Sequence, residues 1–387
     1  MKRIQESTKR RFVSRILEND KNVERFDRVR EISNKVRASE YHITNACNIR
    51  CKGCWFFEKE FDKSSGREVK NLDVLREFVE KERARGVNAA LLIGGEPTLF
   101  LDRIEVYLDI MDYVSISTNG LKQIPYSGFE NVTVFVSLFG GGKLDDDLRA
   151  IAPSGKPFTG LFDMALENYK DDPRVTFVYA LTEDCIDDIE DTVAKIYDNG
   201  NRLSFNYYSK YGTDSPLGSA DKEQLMETAL RIREKYPDTV LSSEYYIRAL
   251  LSGEGHWGDK FGYEVCPSLS ADHPAHKERK KNGKGMLPLF NTYAPDLETI
   301  NFCCTSGECG DCRDSQAMYS WLLMSVGKFV KSKVHLEQWI DLAEGYWKQF
   351  IWSPYYSRED HRDMEVRVAA MPLGGNSSTI NLLQLEN

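Results

Sequence analysis

From residue 39 onward, short apolar runs alternate with longer segments in which apolar residues recur every three or four positions. The two periods predict strands and helices in turn. Residues 41–44, 89–93, 114–117, 132–137, 175–181 and 203–207 read as six strands. Residues 72–85, 103–111, 162–169 and 186–199 read as helices between them. Such alternation implies a parallel sheet with helices outside it. Six units fall short of the eight that close a full barrel, so the expected fold is α/β, a partial (β/α)6 TIM-like barrel.

The pattern changes on either side of this region. Residues 1–37 read as a helix, with Phe26, Val29, Ser33 and Val36 at helical spacing and charges between them. Residues 222–236 read as a helix and 242–251 as a further element, while 277–284 form a basic, glycine-containing loop. Residues 286–290 and 297–303 suggest a hairpin, 316–349 are helical again, and the end of the chain reads as a tail. The division expected is a basic N-terminal helical extension (1–38), a barrel (39–221), a small α+β region (222–315), and C-terminal helices with the tail (316–387).

Composition narrows the class. Hydrophobic residues make up 41% of the 387 and charged residues 29%, as in a globular protein. No run of eighteen apolar residues suggests a membrane span, and the N-terminus lacks the apolar stretch of a signal peptide, so a cytoplasmic location is expected. A net charge of −9 argues against general nucleic-acid binding. Residues 1–38 are the exception, with twelve Lys/Arg against six Asp/Glu, read as a solvated helix face.

The nine cysteines carry the chemistry. In a reducing compartment they argue for metal sites over disulfides. Cys47, Cys51 and Cys54 spell C-x-x-x-C-x-x-C; Cys266, Cys303, Cys304, Cys309 and Cys312 form a second group, and Cys185 stands alone. Three thiolates hold a [4Fe–4S] cluster by three irons and leave the fourth for another ligand, unlike a four-cysteine electron carrier. A zinc site completed by His42 is the alternative, although its spacing matches no common zinc module. Zinc is likewise the alternative for the second group, which contains the C-x-x-C of Cys309 and Cys312.

Every other chemically loaded segment also follows a strand. Gly94-Gly95-Glu96-Pro97 follows the second, Thr118-Asn119-Gly120 the third, and Ser137 ends the fourth. In parallel α/β folds the strand C-terminal ends form the active face, so these segments converge. The cysteine triplet after strand one and G-G-E-P after strand two resemble the leading signatures of the radical S-adenosylmethionine (SAM) superfamily, across roughly residues 39–210. The resemblance implies that Cys47, Cys51 and Cys54 ligate the cluster. It implies that Gly94, Gly95 and Glu96 bind the SAM amino group, with Ser137 and Arg149 as further SAM contacts. Gly53 departs from the bulky residue usual before the last cysteine, which shifts the adenine contact to Trp55 or Phe56. The second cysteine group resembles a twitch or SPASM auxiliary-cluster domain, implying a further Fe–S cluster on Cys266, Cys303 or Cys304, Cys309 and Cys312.

By that resemblance the chain reductively cleaves SAM to a 5′-deoxyadenosyl radical that abstracts a substrate hydrogen, the chemistry being the cofactor's. An oxidoreductase or lyase is expected, acting on a small molecule (a sugar, nucleoside or aminocyclitol) and supplied with electrons by a flavodoxin or ferredoxin. No nucleic-acid or membrane partner is expected. The outcome would be oxidation, dehydration, decarboxylation or epimerisation, with Cys185 a candidate hydrogen donor against the alternative of a buried structural thiol. Asn206, Tyr207 and Tyr208 are placed to face substrate. Two other readings stay open: a maturase of a ribosomally made peptide, and a non-catalytic Fe–S or zinc scaffold.

Overall fold

A computed structural model describes residues 13–207, 219–252, 268–282, 286–303 and 312–350. Its centre is an eight-stranded sheet: β1 (Ala38–His42), β2 (Ala89–Ile93), β3 (Tyr113–Thr118), β4 (Val132–Leu138), β5 (Val175–Leu181), β6 (Arg202–Tyr207), β7 (Thr292–Tyr293) and β8 (Ile300–Asn301). The order is β6-β5-β4-β3-β2-β1-β7-β8. Strands β1 to β6 pair in parallel, as in a partial TIM-like barrel. The short β7–β8 pair is antiparallel, and β7 docks in parallel on the outer edge of β1.

Among the described residues, the helices of eight or more residues are α1 (Asp20–Lys35), α2 (Leu72–Arg85), α3 (Leu101–Ile110), α4 (Gly142–Arg149), α5 (Leu161–Asn168), α6 (Ile189–Asp198), α7 (Ser219–Lys235), α8 (Glu244–Ser252), α9 (Pro274–Lys281), α10 (Ser315–Met324) and α11 (Lys333–Phe350). Strands β2, β4 and β5 are mostly buried on both faces, because helices cover one side and the barrel interior the other. Helix α2 shows how local signals set an element. The Asn71 side chain accepts from Asp73 and Val74 N–H at its start, and Gly86 at φ 103° ends it.

Two connections depend on buried charge. No helix links β3 to β4. Instead Arg174, paired with Asp172 at 2.6 Å, donates to the carbonyls of Ile124, Pro125 and Phe129 in that connection. Their acceptors are satisfied without regular structure, as a buried backbone requires. At the other edge, Glu82 of α2 accepts from Tyr41 Oη (2.9 Å) of β1 and Tyr293 Oη (3.1 Å) of β7. The two rings stack 5.7 Å apart, which fixes β7 against β1.

The ends of the described chain meet. Phe26 of α1 packs on Trp339 of α11 at 5.7 Å, and Arg25 pairs with Asp341 and Glu344 at 2.6 Å each. The basic segment read as a loop over 277–284 is helical through Lys281, because His273 caps it through Ala275 N–H and Pro274 occupies the first turn. Among the described residues, no helix is long and apolar enough to cross a membrane.

Candidate functional site

The segment after β1 carries the cysteine triplet. Gly95 N–H donates to Thr44 O and Glu96 N–H to Ala46 O, both at 2.8 Å, so the loop after β2 lies directly on it. That contact is why two glycines stand there. A Cβ on Gly94 would lie 2.5 Å from Thr44 O, and one on Gly95 only 2.0 Å from Ala46 O. On the other side, Arg50 and Lys52 N–H groups bond Ile151 O and Leu148 O at the end of α4. Arg103 anchors the loop's start, donating to Ile43 O and Glu68 at 2.5 Å each.

Cys47, Cys51 and Cys54 line one cavity of about 280 Å³ at the C-terminal ends of the strands. Gly94, Gly95, Glu96, Ser137 and Arg149 line the same cavity, as do Trp55 and Phe56. Burial pushes the Cys47 thiol up to about 12 and the Cys54 thiol to about 11. Cys51 is raised by burial too, although the Arg149 guanidinium bonded to it pulls the other way. Metal binding at these thiols therefore expels protons.

Glu96 is pinned. Its carboxylate accepts from Thr98 N–H (3.0 Å), Thr98 Oγ1 (2.7 Å), Thr118 Oγ1 (2.8 Å) and Asn119 N–H (2.8 Å). The two bonds from Thr118 and Asn119 tie the loop after β2 to the end of β3, against a burial effect that raises the carboxyl above its ordinary range. Arg149 is 2% exposed and bonds the Ser137 carbonyl and Asp145. It thereby fastens α4 to the end of β4.

The triplet suits a cluster better than an ion. A Cys3His zinc site would need His42 as its fourth ligand. His42 instead faces Trp55, Phe56 and Phe61, and neither ring nitrogen has a hydrogen-bond partner. Burial holds it down to about 3. Three soft thiols lining one cavity, with no fourth cysteine among its described lining residues, fit a [4Fe–4S] cluster whose fourth iron takes another ligand.

Cys185 lies elsewhere. It is fully buried in the core, its thiol donates to Thr182 O at 3.0 Å, and it does not line the cavity. Of the second cysteine group, Cys303 and Cys312 are described and both are buried. Cys266, Cys304 and Cys309, like Tyr208, lie outside the described residues. Asn206 and Tyr207 line the cavity as expected from their place at the end of β6. Sequence reasoning missed Glu40, Asp314 and Gln349, which also line it. The capping signal of Asp314, two residues ahead of the helical run that begins at residue 316, was available. Glu40 and Gln349 left no local signal, because only the fold brings β1 and the end of α11 together.

Residues 41–217 match the family model described as Radical SAM superfamily. GTP 3′,8-cyclase of Aquifex aeolicus (strain VF5) is 28% identical over 118 residues, which is 27% of this chain and 37% of that protein. GTP 3′,8-cyclase of Lactiplantibacillus plantarum is 28% identical over 140 residues, or 30% and 40%. The chain thus spans about two fifths of the length of these curated relatives. Among solved structures, native anSMEcpe with bound AdoMet and Cp18Cys peptide matches at 14% identity and TM-score 0.44, covering 86% of this chain and 99% of that one. The FeFe-hydrogenase maturase HydG from Carboxydothermus hydrogenoformans matches at 12% identity and TM-score 0.37, covering 90% and 86%.

Proposed function

We propose, on the premise that residues 41–217 match the Radical SAM superfamily model, that this chain is an enzyme that abstracts a hydrogen atom from a small-molecule substrate, as an oxidoreductase or lyase. One observation carries the reading. The three cysteines, the Gly94–Gly95 turn, Ser137 and Arg149 share one cavity at the ends of parallel strands, although nearly a hundred residues separate Cys54 from Arg149. Cys47, Cys51 and Cys54 would hold the [4Fe–4S] cluster, and Gly94, Gly95 and Ser137 would border SAM. When bound, these groups supply a carbon-centred radical by reductive cleavage of SAM.

The protein's own part is positional. Glu96 holds the loop after β2 against the end of β3, so Gly94 and Gly95 present their backbone to the cavity at fixed depth. Arg149 places a positive charge beside the Cys51 thiolate and fixes β4 relative to α4. Trp55, Phe56, Phe57, Phe135 and Phe139 line the cavity with apolar surface. That surface excludes water from a reactive intermediate. A second Fe–S cluster, on Cys303 or Cys304 with Cys266, Cys309 and Cys312, belongs to the same proposal.

The test is anaerobic reconstitution of the full chain with iron and sulfide, followed by iron and zinc counts and incubation with SAM and dithionite. We expect 5′-deoxyadenosine, and we expect the Cys47→Ala, Cys51→Ala, Cys54→Ala variant to stop forming it while keeping the iron of the second group. No iron and no 5′-deoxyadenosine in the parent chain would refute the enzyme reading. Loss of all iron in the triple variant, or of none, would refute the two-site assignment.

A further inference from the structure

A second set of polar side chains lines the same cavity and takes no part in holding the cysteine or glycine loops. Glu40 of β1 is 3% exposed, and its Oε1 accepts no hydrogen bond from a described residue. His42 Nε2 stands 3.7 Å away, beyond hydrogen-bond reach, and that ring is neutral. Gln349, at the end of α11, is fully buried, and neither its amide oxygen nor its nitrogen has a partner among the described residues. Asp314 caps α10 through Gln316 and Ala317 N–H and receives a bond from Asn206.

Among the described residues lining the cavity, Arg149 is the single cation, and it is committed to Asp145, the Ser137 carbonyl and Cys51. No other described residue lining the cavity brings a positive charge to Glu40 or Asp314. A buried carboxyl without a partner costs several hydrogen bonds' worth of desolvation, and native structures retain such groups where a ligand completes them. A buried amide with donor and acceptor both unspent asks for a hydroxyl, which is itself both.

We propose that this wall binds the protonated amine of a small hydroxylated substrate, an amino sugar or aminocyclitol, with Glu40 and Asp314 flanking the ammonium and Gln349 meeting a neighbouring hydroxyl. The proposal rests on the radical SAM reading for the reaction, but the binding it describes is independent of it. The same two carboxyls disfavour a triphosphate, so GTP, the substrate in the names of the curated relatives, suits this wall poorly.

The experiment uses the full chain, reconstituted as above, and measures binding at neutral pH by calorimetry. The probes are two pairs that differ by exchange of amine for hydroxyl, glucosamine with glucose and putrescine with butanediol, together with GTP. A charge-assisted hydrogen bond in a buried site corresponds to a preference of about tenfold or more. We expect at least one amine to bind that much more tightly than its alcohol. We expect Glu40→Gln to reduce the preference to within about twofold, without lowering the urea unfolding midpoint, because it removes an unpaired carboxyl. Asp314→Asn gives the same reading if Glu40→Gln fails to fold. The proposal falls if neither amine outbinds its alcohol, if GTP binds as tightly as the better amine, or if the preference survives in the variant. Formation of 5′-deoxyadenosine in the same preparation tests the radical reading separately, so the two can fail independently.

Discussion

Replacing Glu96 separates a residue that organises the cavity from one that only touches a ligand. In Glu96→Ala the N–H groups of Thr98 and Asn119 lose acceptors at 3.0 and 2.8 Å, and both residues are buried. An orphaned buried donor costs about 1–3 kcal/mol, so the two together cost about 2–6 kcal/mol. The hydroxyls of Thr98 and Thr118 rotate to other acceptors or to water entering the space, so they add little. Glu96→Gln keeps one acceptor oxygen but sets an amide nitrogen against one of the donors. It also relieves the burial of a charge, so its cost is nearer to one orphaned donor, about 1–3 kcal/mol. Thr118→Val deletes one bond of the four and should cost about 1 kcal/mol. Urea unfolding at neutral pH on the protein without cluster reads all three, and calorimetric titration with SAM on the reconstituted protein reads binding. Lost stability should fall in the order Glu96→Ala, Glu96→Gln, Thr118→Val. A Glu96→Ala variant as stable as the parent, yet unable to bind SAM, would refute it and leave Glu96 a ligand contact alone.

Three further predictions concern the same cavity. Gly95→Ala forces a Cβ to 2.0 Å from Ala46 O, so the loops separate and the iron retained after reconstitution falls. Gly327→Ala, with nothing within 4 Å, leaves it unchanged, and iron analysis with cluster absorbance checks both. Arg149→Met leaves Asp145 buried without its guanidinium and should cost about 3–5 kcal/mol in urea unfolding; adding Asp145→Asn should recover part of that loss. Glu40 is raised above the ordinary value of 4.5 by burial and by Asp314, with neutral His42 on its other side. The folded state therefore binds its proton more tightly, and this contribution to stability is lost as pH rises from about 4.5 upward, with a slope of at most about 1.4 kcal/mol per pH unit. Glu40→Gln removes that slope, as unfolding measured across the range will show.

The barrel was legible because its strands are sequestered on both faces. The runs at β2 and β5 contain apolar residues almost throughout, so their limits are the same read from sequence or structure. Strand β1 was placed three residues late. Its Ala-Ser-Glu-Tyr-His sequence breaks the apolar pattern, since Ser39, Glu40 and His42 are buried polar groups. Ser39 bonds Leu289 O and Asn291 N–H across the edge, and that partner lies some 250 residues away. The cysteine and glycine loops were readable from spacing alone. Their tie through Glu96 to Thr118 and Asn119 was not, because a carboxylate beside two glycines looks the same in sequence whether it meets a ligand or a backbone. Gln349 was invisible for a related reason, since it ends an ordinary amphipathic helix whose approach to the cavity depends on the packing of α11.

The docking of β7 on β1 has a consequence for the order in which the protein can be made. Strand β1 emerges from the ribosome early, but the segment that covers its outer edge follows only after residue 291. Throughout that interval a nascent chain holds an open sheet margin next to its cysteine loop, with Glu82 lacking the tyrosine hydroxyl of Tyr293. Open margins of this kind recruit strands from other chains. Synthesis beyond the hairpin is therefore what protects the first strand, and fragments ending before it should be prone to aggregate even though they contain all six strands of the barrel.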